Sequence, residues 1–514
     1  MTNIKKKITI PRAVGYGLTD IMGGGAFTVI AAWLMYYYTT FVGLTPVEGA
    51  SIIAIARIVD AVVSLSIGSI TDNFYKFKLG RKFGRRRFFL LIGSPLMATY
   101  VLLWFTGMNY WYYLISYLLF EIVMALVLIP WETLPSEMTK DFNERTKLST
   151  ARMFMSGTGV FLATFVPGRL IAYFGEDNAY AYFINGVFFA ILFAVCIFIS
   201  YKVTWEKKPT LEEERELIAQ SSKSKSFGET LSAIGSVLKE YGTTLKIKSF
   251  RKHLAIYLLS FTAKDVFNAV FVYFCVFALS ISTSLAADLL SLSIIGVPFM
   301  LVAGFLMIKV GPGNLYKISY SVMLICLGAF YAVYVTKPDS MVVMLFVIAA
   351  FYQVGRAILD FTPWNVFPFI PDIDEIVTRQ RREGLFAAVM TFARKTSVAL
   401  ATFCVGLVLQ WGGFVAGEKT QTAEAVHTIV YTMVIGASVL LVAALLVVFT
   451  FKLNKQTHKI LVDEIDRLKN NGSKLKVDPK TKEVVENLTG FKYEDVWKDN
   501  NENKIKSAKV KSAL

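Results

Sequence analysis

The chain has 514 residues, of which 55% are hydrophobic and 18% are charged, and its net charge is +16. A soluble domain carries about 25% charged residues, so this composition argues against a soluble multidomain enzyme and against a disordered scaffold. The basic residues lie in short clusters between apolar runs, which does not suit a nucleic-acid-binding surface. The sequence therefore predicts a protein that spans a lipid bilayer.

Long apolar runs recur along the whole chain. A helix needs about 20 apolar residues to cross a bilayer, and twelve runs approach or exceed that length. They predict membrane spans at residues 13–40, 48–71, 87–106, 110–131, 151–174, 180–203, 252–280, 285–309, 315–336, 340–364, 384–412 and 426–452. The predicted fold class is an all-α membrane protein with twelve transmembrane helices.

Lysine and arginine cluster in every second gap between these spans. The N-terminal segment contains Lys5, Lys6 and Lys7, and the gap at 72–86 reads DNFYKFKLGRKFGRR, whereas the gap at 43–47 has no basic residue. Basic loops stay on the cytoplasmic side of a membrane. We therefore expect a multi-pass protein of the cell membrane with both termini in the cytoplasm.

A long polar segment at 204–251 divides the spans into two sets of six. Pro130–Pro135 (PWETLP) closes the predicted fourth span, and Pro363–Pro368 (PWNVFP) closes the tenth. A parallel repeat of six helices describes the major facilitator architecture, although Trp and Pro also recur by chance at membrane interfaces. The predicted units are an N-terminal six-helix bundle, a cytoplasmic loop, a C-terminal six-helix bundle, and a cytoplasmic tail with one helix and a loose end, at residues 1–203, 204–251, 252–452 and 453–514.

The polar residues form no recognisable catalytic arrangement. His253, His427 and His458 lie at span edges or in the tail, and the sequence has no metal-ligand spacing and no phosphate-binding loop. A membrane-embedded enzyme would need a polar catalytic cluster near one interface. We therefore expect no enzymatic activity, no cofactor and no metal site.

Charged residues inside the apolar spans are the main candidates for function, because placing them in lipid is costly. Arg57 and Asp60 lie three residues apart in the second span and share a helical face. Asp60 is a candidate for carrying a proton or Na⁺, with Arg57 tuning its charge. The alternative is a neutral pair between the two residues that only joins helices.

Arg152 and Lys395 lie early in the fifth and eleventh spans, after the two PWxxxP segments. The repeat predicts that they face each other across a central cavity, where a cation can bind a sugar hydroxyl or a carboxylate. Gly23-Gly24-Gly25 in the first span indicates either close helix packing or a widened cavity. For Arg356 the alternative to a binding role is a simple ion pair with Asp360. The remaining substrate-binding candidates are Asp20, Trp131, Tyr352, Gln353, Arg356 and Trp364.

The turn after the second span combines an acid with many cations. Asp72 can cap a helix and pair with an arginine of the same turn. The sequence therefore predicts that Asp72, Arg81 and Arg85 latch the cytoplasmic side in one conformational state.

Six segments carry a resemblance to a known family: YGLTD, LMYYYTTFVGL, ARIVDAVVS, GRKFGRRRFFLL, IPWETLPSEMTKDFNERTKLSTAR and REGLFAAVMTFARK. In this order and spacing they resemble the glycoside–pentoside–hexuronide:cation symporters, the melibiose-permease-like branch of the major facilitator superfamily, over about residues 10–455. The resemblance implies two pseudo-symmetric six-helix bundles and cation-coupled uptake of a glycoside by alternating access.

The resemblance also assigns site residues. The family's cation motif has an arginine, an aspartate and a second acid; here Arg57 and Asp60 match it, and Ser64 replaces the second acid. That departure favours H⁺ over Na⁺ as the coupling ion and leaves uncoupled transport open. The family's basic residues at the start of spans five and eleven match Arg152 and Lys395.

The charged residues that melibiose-type members use for galactosides are absent here. Their positions align with Gly23, Gly24 and Leu128, so the cavity is expected to be more cationic, which suits an anionic sugar. The leading hypothesis is a secondary active importer of a glycoside, leaning to an anionic (oligo)uronide, coupled to H⁺. The alternatives are Na⁺-coupled or uncoupled transport of a neutral oligosaccharide, and a non-transporting sugar receptor. We expect a monomer whose partners are the sugar and the lipid bilayer.

Overall fold

The computed structural model describes residues 7–72, 74–139, 141–206, 240–380, 382–470 and 472–497, and no β-strand occurs among them. Eleven helices in this part of the chain are long and apolar enough to cross a membrane. The helix Pro46–Asp72 has 27 residues, which is also long enough to cross a membrane, and it brings the number of such helices in the described part to twelve. The predicted all-α membrane fold with twelve transmembrane helices is confirmed.

The first six spans form the N-terminal half. They are α1 Ile10–Val42, α2 Pro46–Asp72, α3 Arg87–Trp104, α4 Tyr110–Met138, α5 Phe142–Phe174 and α6 Tyr180–Val203. Polar side chains cap the starts of α4 and α5: Asn109 accepts a hydrogen bond from the Tyr112 N–H, and Asp141 accepts one from the Glu144 N–H. Such caps satisfy N–H groups that have no partner within the helix.

The last six spans form the C-terminal half. They are α7 Lys248–Ala278, α8 at 283–310, α9 at 312–336, α10 Met341–Thr378, α11 Glu383–Trp411 and α12 Ala423–Phe449. α8 and α9 meet at Gly311 without a loop. The φ of Gly311 is 78°, a left-handed conformation that glycine adopts without a Cβ clash.

The two PWxxxP segments differ in whether a helix ends in them. α4 continues past Pro130 and Pro135 to Met138, whereas the regular α-helix of α10 ends at Val366 and is followed by a 3₁₀ turn, Phe367–Phe369, and a short helix, Ile370–Thr378. The prediction that the segment closes its helix is therefore wrong for α4 and confirmed for the regular α-helix of α10. A proline removes only its own N–H from the hydrogen-bond ladder, and membrane helices tolerate that loss.

The two ends of the helical bundle differ in their turns. We call the end that carries the Arg85–Arg87 turn and residues 450–497 the basic end. The other end, which carries the turns at 43–45 and 412–422, is called the opposite end.

Polar contacts between the halves are found at the opposite end. The Thr39 and Tyr273 hydroxyls are 2.7 Å apart, and the Gly417 N–H donates to the Thr39 carbonyl oxygen at 2.9 Å. The exposed ion pair between Lys419 and Asp177 also crosses between the halves, at 2.7 Å. The opposite end is therefore the closed end in this conformation.

Gly406 in α11 sets how closely α11 approaches α2 at the opposite end. A Cβ at this position would lie 2.3 Å from the Ala50 Cβ, so Gly406→Val is expected to force the halves apart there. Overpacking destabilises the closed packing by about 1–3 kcal/mol, and about 1.4 kcal/mol shifts the equilibrium between the closed and the open opposite end tenfold. We therefore expect a membrane-impermeant maleimide to label Thr39→Cys about tenfold faster, or more, in the Gly406→Val background.

Gly328→Val in α9 is the matched control for this experiment. A Cβ at Gly328 meets no atom within 4 Å, so this variant is expected to leave the labelling rate unchanged. Equal labelling of Thr39→Cys in the Gly406→Val and parent backgrounds would show that this contact does not hold the opposite end closed.

Residues 453–497 form a folded cap on the C-terminal half. α13 Lys455–Lys469 and α14 Pro479–Thr489 dock at the basic end, where the Ser249 hydroxyl donates to the Leu488 carbonyl oxygen at 2.6 Å. The predicted loose end is wrong for residues 479–497, because Val485, Leu488, Tyr493 and Val496 are buried in the core. Residues 207–239 of the predicted loop and 498–514 of the tail lie outside the described part.

Candidate functional site

Charged side chains inside the spans gather into three clusters. The N-terminal cluster joins α1, α4 and α5; the central cluster joins α2, α4 and α11; the C-terminal cluster joins α7, α10 and α11. Their members are, in that order, Asp20, Glu132 and Arg152; Arg57, Asp60, Ser64, Glu121 and Lys395; and Lys264, Asp265, Asn268, Arg356, Asp360 and Arg394. Because ionised groups are costly inside a membrane, such clusters are candidates for a ligand or ion path.

The central cluster links the two halves of the molecule. The buried Asp60 on α2 accepts an ion-paired hydrogen bond from the Lys395 ammonium on α11, at 2.7 Å. Ser64, one turn after Asp60, donates to the Asp60 carboxylate at 2.9 Å and accepts from Lys395 at 2.7 Å. The predicted coupling residues Asp60 and Ser64 therefore share a closed triangle of contacts with the predicted substrate residue Lys395.

Arg57 pairs with a residue other than Asp60. Its guanidinium lies 3.3 Å from the Glu121 carboxylate on α4, and both side chains are buried. The same guanidinium lies over the Phe27 ring, 4.5 Å from the centroid. The alternative in which Arg57 and Asp60 neutralise each other is therefore not what the structure shows, and Arg57 joins α2 to α4.

The N-terminal cluster surrounds Arg152 with two carboxylates. Its Nε lies 3.1 Å from Asp20 on α1, and its Nη2 lies 2.6 Å from Glu132 on α4. Arg152 and Glu132 are partly exposed, with 36% and 47% of their side-chain surfaces accessible. The charge of Arg152 is thus compensated in this conformation, which the sequence did not indicate.

The three consecutive glycines of α1 serve close packing. A Cβ at Gly24 would lie 2.5 Å from the Ser156 carbonyl oxygen, and one at Gly159 would lie 2.5 Å from the Ile21 carbonyl oxygen. The backbones of α1 and α5 therefore touch, as small residues permit in membranes. A Cβ at Gly23 would lie 2.2 Å from the Asp20 carboxylate, so this glycine leaves room for the side chain that binds Arg152.

Trp131, a predicted sugar-stacking residue, is fully buried. Its indole stacks on Tyr16 with ring centroids 4.9 Å apart, and its N–H donates to the Tyr16 carbonyl oxygen at 3.0 Å. The Arg152 guanidinium lies 4.8 Å from the indole centroid. In this conformation Trp131 supports Arg152 and offers no open ring face to a ligand.

The other aromatic and amide candidates lie on α10. Trp364 is 43% exposed and meets Tyr257 edge to face. Tyr352 and Gln353 are buried. Tyr352 stacks on Phe267 with ring centroids 4.1 Å apart, and its hydroxyl has no hydrogen-bond partner among the described residues.

The C-terminal cluster contains two close ion pairs and one looser contact. Arg394 binds Asp265 through two hydrogen bonds of 2.5 and 2.8 Å, and Lys264 binds Asp360 closely. The Nε of Arg356 lies 3.7 Å from Asp360, and its Nη1 donates to the Asn268 amide oxygen at 3.2 Å. The predicted alternative for Arg356, a simple pair with Asp360, is therefore only loosely realised.

The predicted gating residue Arg85 is fastened within its own half. Its guanidinium lies 2.6 Å from Glu137 at the end of α4, and the Glu206 carboxylate accepts from the backbone N–H groups of Arg85, Arg86 and Arg87. Arg81 is exposed on the short helix Lys78–Phe83. The side chain of Asp72 lies outside the described part, so the predicted latch with Arg81 and Arg85 stays a prediction.

Sequence reasoning overlooked Glu132 and the partners of several candidates. The signal for Glu132 was present, since it follows Trp131 in the PWxxxP segment of a span that also carries Glu121. The three clusters offer carboxylates that can take up protons, cations that can hold an anion, and polar oxygens that can bind hydroxyl groups. Together they suit a reversible binding site for a polar or charged small molecule.

Comparisons with known proteins agree with this reading. A family model described as MFS/sugar transport protein matches residues 15–455. The chain is 23% identical to the glucuronide carrier protein homolog of Escherichia coli, over 89% of this chain and 95% of that protein. It is 24% identical to the isoprimeverose transporter of Lactiplantibacillus pentosus, over 87% of this chain and 90% of that protein.

Solved structures with a similar backbone cover most of the chain. The nucleoside transporter NupG aligns with a TM-score of 0.57 and 14% identity, over 87% of this chain and 100% of that one. A D-xylose-proton symporter aligns with a TM-score of 0.55 and 16% identity, over 85% and 96%. At these identities the likeness shows the fold alone.

Proposed function

We propose that this chain, which belongs to the MFS/sugar transport protein family, imports an anionic uronide together with a proton by alternating access. The membership and the curated relatives confirm the resemblance to glycoside–pentoside–hexuronide:cation symporters and the expectation of a membrane sugar transporter rather than an enzyme. The substrate and the coupling ion are our proposal. The contact between Asp60 and Lys395 carries it.

The contact between Asp60 and Lys395 links proton binding to substrate binding. In this conformation the Lys395 ammonium neutralises the buried Asp60 carboxylate. Protonation of Asp60 removes that negative charge and so releases Lys395 to interact with substrate. Asp60 and Ser64 provide one carboxylate and one hydroxyl oxygen at this site, a sparse set of ligands for Na⁺, which supports H⁺ as the coupling ion.

Alternating access requires that only one end of the cavity is open at a time. The halves are joined by hydrogen bonds and an ion pair at the opposite end. The positive-inside rule places the basic end and both termini in the cytoplasm. The conformation described here would then be the one that releases substrate from a cell-membrane protein into the cell.

A uronide substrate is supported by two observations. The C-terminal cluster has more cations than carboxylates, and one curated relative carries the name glucuronide carrier. A neutral glycoside is the second candidate, because Asp20 and Glu132 compensate Arg152 and another relative carries the name isoprimeverose transporter.

Uptake into proteoliposomes tests the substrate and the ion together. We expect labelled methyl β-D-glucuronide to enter about tenfold faster than methyl β-D-glucoside at equal concentration, the difference that one charge-assisted contact supplies. An inward proton gradient should drive accumulation, and an inward Na⁺ gradient at constant pH should not. Faster entry of the neutral glycoside would overturn the uronide proposal, and Na⁺-driven accumulation would overturn the proton. Absence of flux for every sugar tested would favour a receptor.

A further inference from the structure

The charges of the three clusters balance in total but not within each cluster. In the N-terminal cluster one cation, Arg152, faces the two carboxylates of Asp20 and Glu132. In the central cluster Arg57 and Lys395 each have their own carboxylate. In the C-terminal cluster three cations share two carboxylates. The N-terminal cluster thus has one carboxylate without a cation of its own, and the C-terminal cluster has one cation without a carboxylate of its own.

The unmatched cation of the C-terminal cluster is Arg356. Arg394 engages both carboxylate oxygens of Asp265, and Lys264 bonds closely to Asp360. The contact between Arg356 and Asp360, at 3.7 Å, exceeds the length of a hydrogen bond. The hydrogen bond that Arg356 does make, to Asn268, goes to a neutral oxygen. Among the described residues, Arg356 therefore has no carboxylate of its own.

A second unsatisfied group lies one helical turn from Arg356. Residues four apart share a helix face, and Tyr352 precedes Arg356 by four positions on α10. The Tyr352 hydroxyl is buried and has no hydrogen-bond partner among the described residues. Leaving such a donor unpaired is costly, and an incoming carboxylate oxygen would remove that cost.

We infer that Arg356 binds the carboxylate of the transported uronide, with the Tyr352 hydroxyl as a further donor; this inference rests on the proposed function. A guanidinium holds a carboxylate through two parallel hydrogen bonds, which gives strength and orientation. The substrate anion supplies the missing negative charge of the C-terminal cluster. Arg152 and Lys395, the cations that the sequence favoured for a sugar hydroxyl or a carboxylate, already have carboxylate partners.

Calorimetric binding to the purified full chain in detergent tests this assignment. Arg356→Gln keeps a donor for Asn268 but removes the charge. We expect it to weaken binding of methyl β-D-glucuronide about tenfold or more and to change binding of methyl β-D-glucoside less than about twofold. Arg356→Lys, which preserves the charge but not the paired hydrogen bonds, should restore part of the uronide affinity.

Asp360→Asn is a control variant that should not weaken uronide binding. It removes a carboxylate that competes for Arg356, so uronide binding should be retained or strengthened. Loss of uronide binding in both Asp360→Asn and Arg356→Gln, or equal losses of both sugars in Arg356→Gln, would mean that the cluster is only structural and would overturn the inference. Unfolding temperatures without ligand show that each variant is folded.

The same titrations separate this inference from the proposed function. If the wild-type chain prefers the uronide and Arg356→Gln keeps that preference, the inference fails while the proposed substrate class stands. If the wild-type chain binds the neutral glycoside better than the uronide, the proposed substrate class fails and the inference fails with it.

Discussion

Asp60→Asn is expected to abolish proton-driven accumulation of sugar while leaving exchange of sugar across the membrane intact. The carboxylate can take up a proton and thereby lose its charge, whereas the amide cannot. A gradient of one pH unit supplies about 1.4 kcal/mol, enough for roughly tenfold accumulation by the wild-type chain, whereas the variant should equilibrate at a concentration ratio of about one. Uptake of labelled uronide into proteoliposomes measures accumulation when the pH gradient is present and equilibration when it is absent.

The main risk in this experiment is the lone charge left on Lys395. Asp60→Asn deprives the ammonium of its 2.7 Å partner, which can destabilise the fold. The double variant Asp60→Asn/Lys395→Gln removes both charges and should be about as stable as the wild-type chain, so its unfolding temperature separates the cost of the lone ammonium from the loss of coupling. Undiminished uphill uptake by Asp60→Asn would remove Asp60 from the mechanism.

Arg57→Met is expected to destabilise the protein strongly. It would leave the Glu121 carboxylate, which is almost inaccessible to solvent, without its cation. Breaking a buried ion pair by removing one partner costs about 3–5 kcal/mol, mostly because the remaining charge is uncompensated. We expect a large drop in unfolding temperature, followed in detergent with a thiol-reactive dye that reports exposure of the buried Cys196, Cys275 and Cys326.

The double variant Arg57→Met/Glu121→Gln distinguishes a structural role of Arg57 from a role in coupling. Removing both charges should recover most of the lost stability, since no lone charge remains. If this stable double variant still accumulates sugar with protons, Arg57 acts only by joining α2 to α4. If it is stable but equilibrates sugar without accumulation, Arg57 modulates the charge of Asp60, as the sequence predicted. Failure to recover stability would contradict the ion pair as the source of the effect.

The membrane fold was largely predictable because the bilayer imposes a length and an apolar composition on each span. Two features were not. The segment Pro130–Pro135 indicated a helix end, yet α4 continues through it to Met138. The residues around Val485 and Leu488 read as a loose end, yet they are buried against the C-terminal half. In the second case tertiary contacts decide what the local sequence leaves open.

The candidate site was predictable as a set of residues but not as a set of contacts. The cost of charge in lipid singles out Asp60, Arg152 and Arg356 from the sequence alone. It does not reveal that Lys395 binds Asp60, or that Trp131 is covered by Arg152. These outcomes depend on the depth and rotation of each helix, which hydropathy does not report.

The sequence by itself determined that the chain crosses the membrane twelve times and which charged residues the spans carry, because lipid penalises polar groups at every position. Only the tertiary structure decided which charges compensate one another. Asp60 and Lys395 lie on different halves, and they meet where α2 and α11 pack closely, a packing that Gly406 permits at the opposite end. Arg356 is left without its own carboxylate because Arg394 binds Asp265 and Lys264 binds Asp360. These pairings depend on distances of a few ångströms between helices that are remote in sequence.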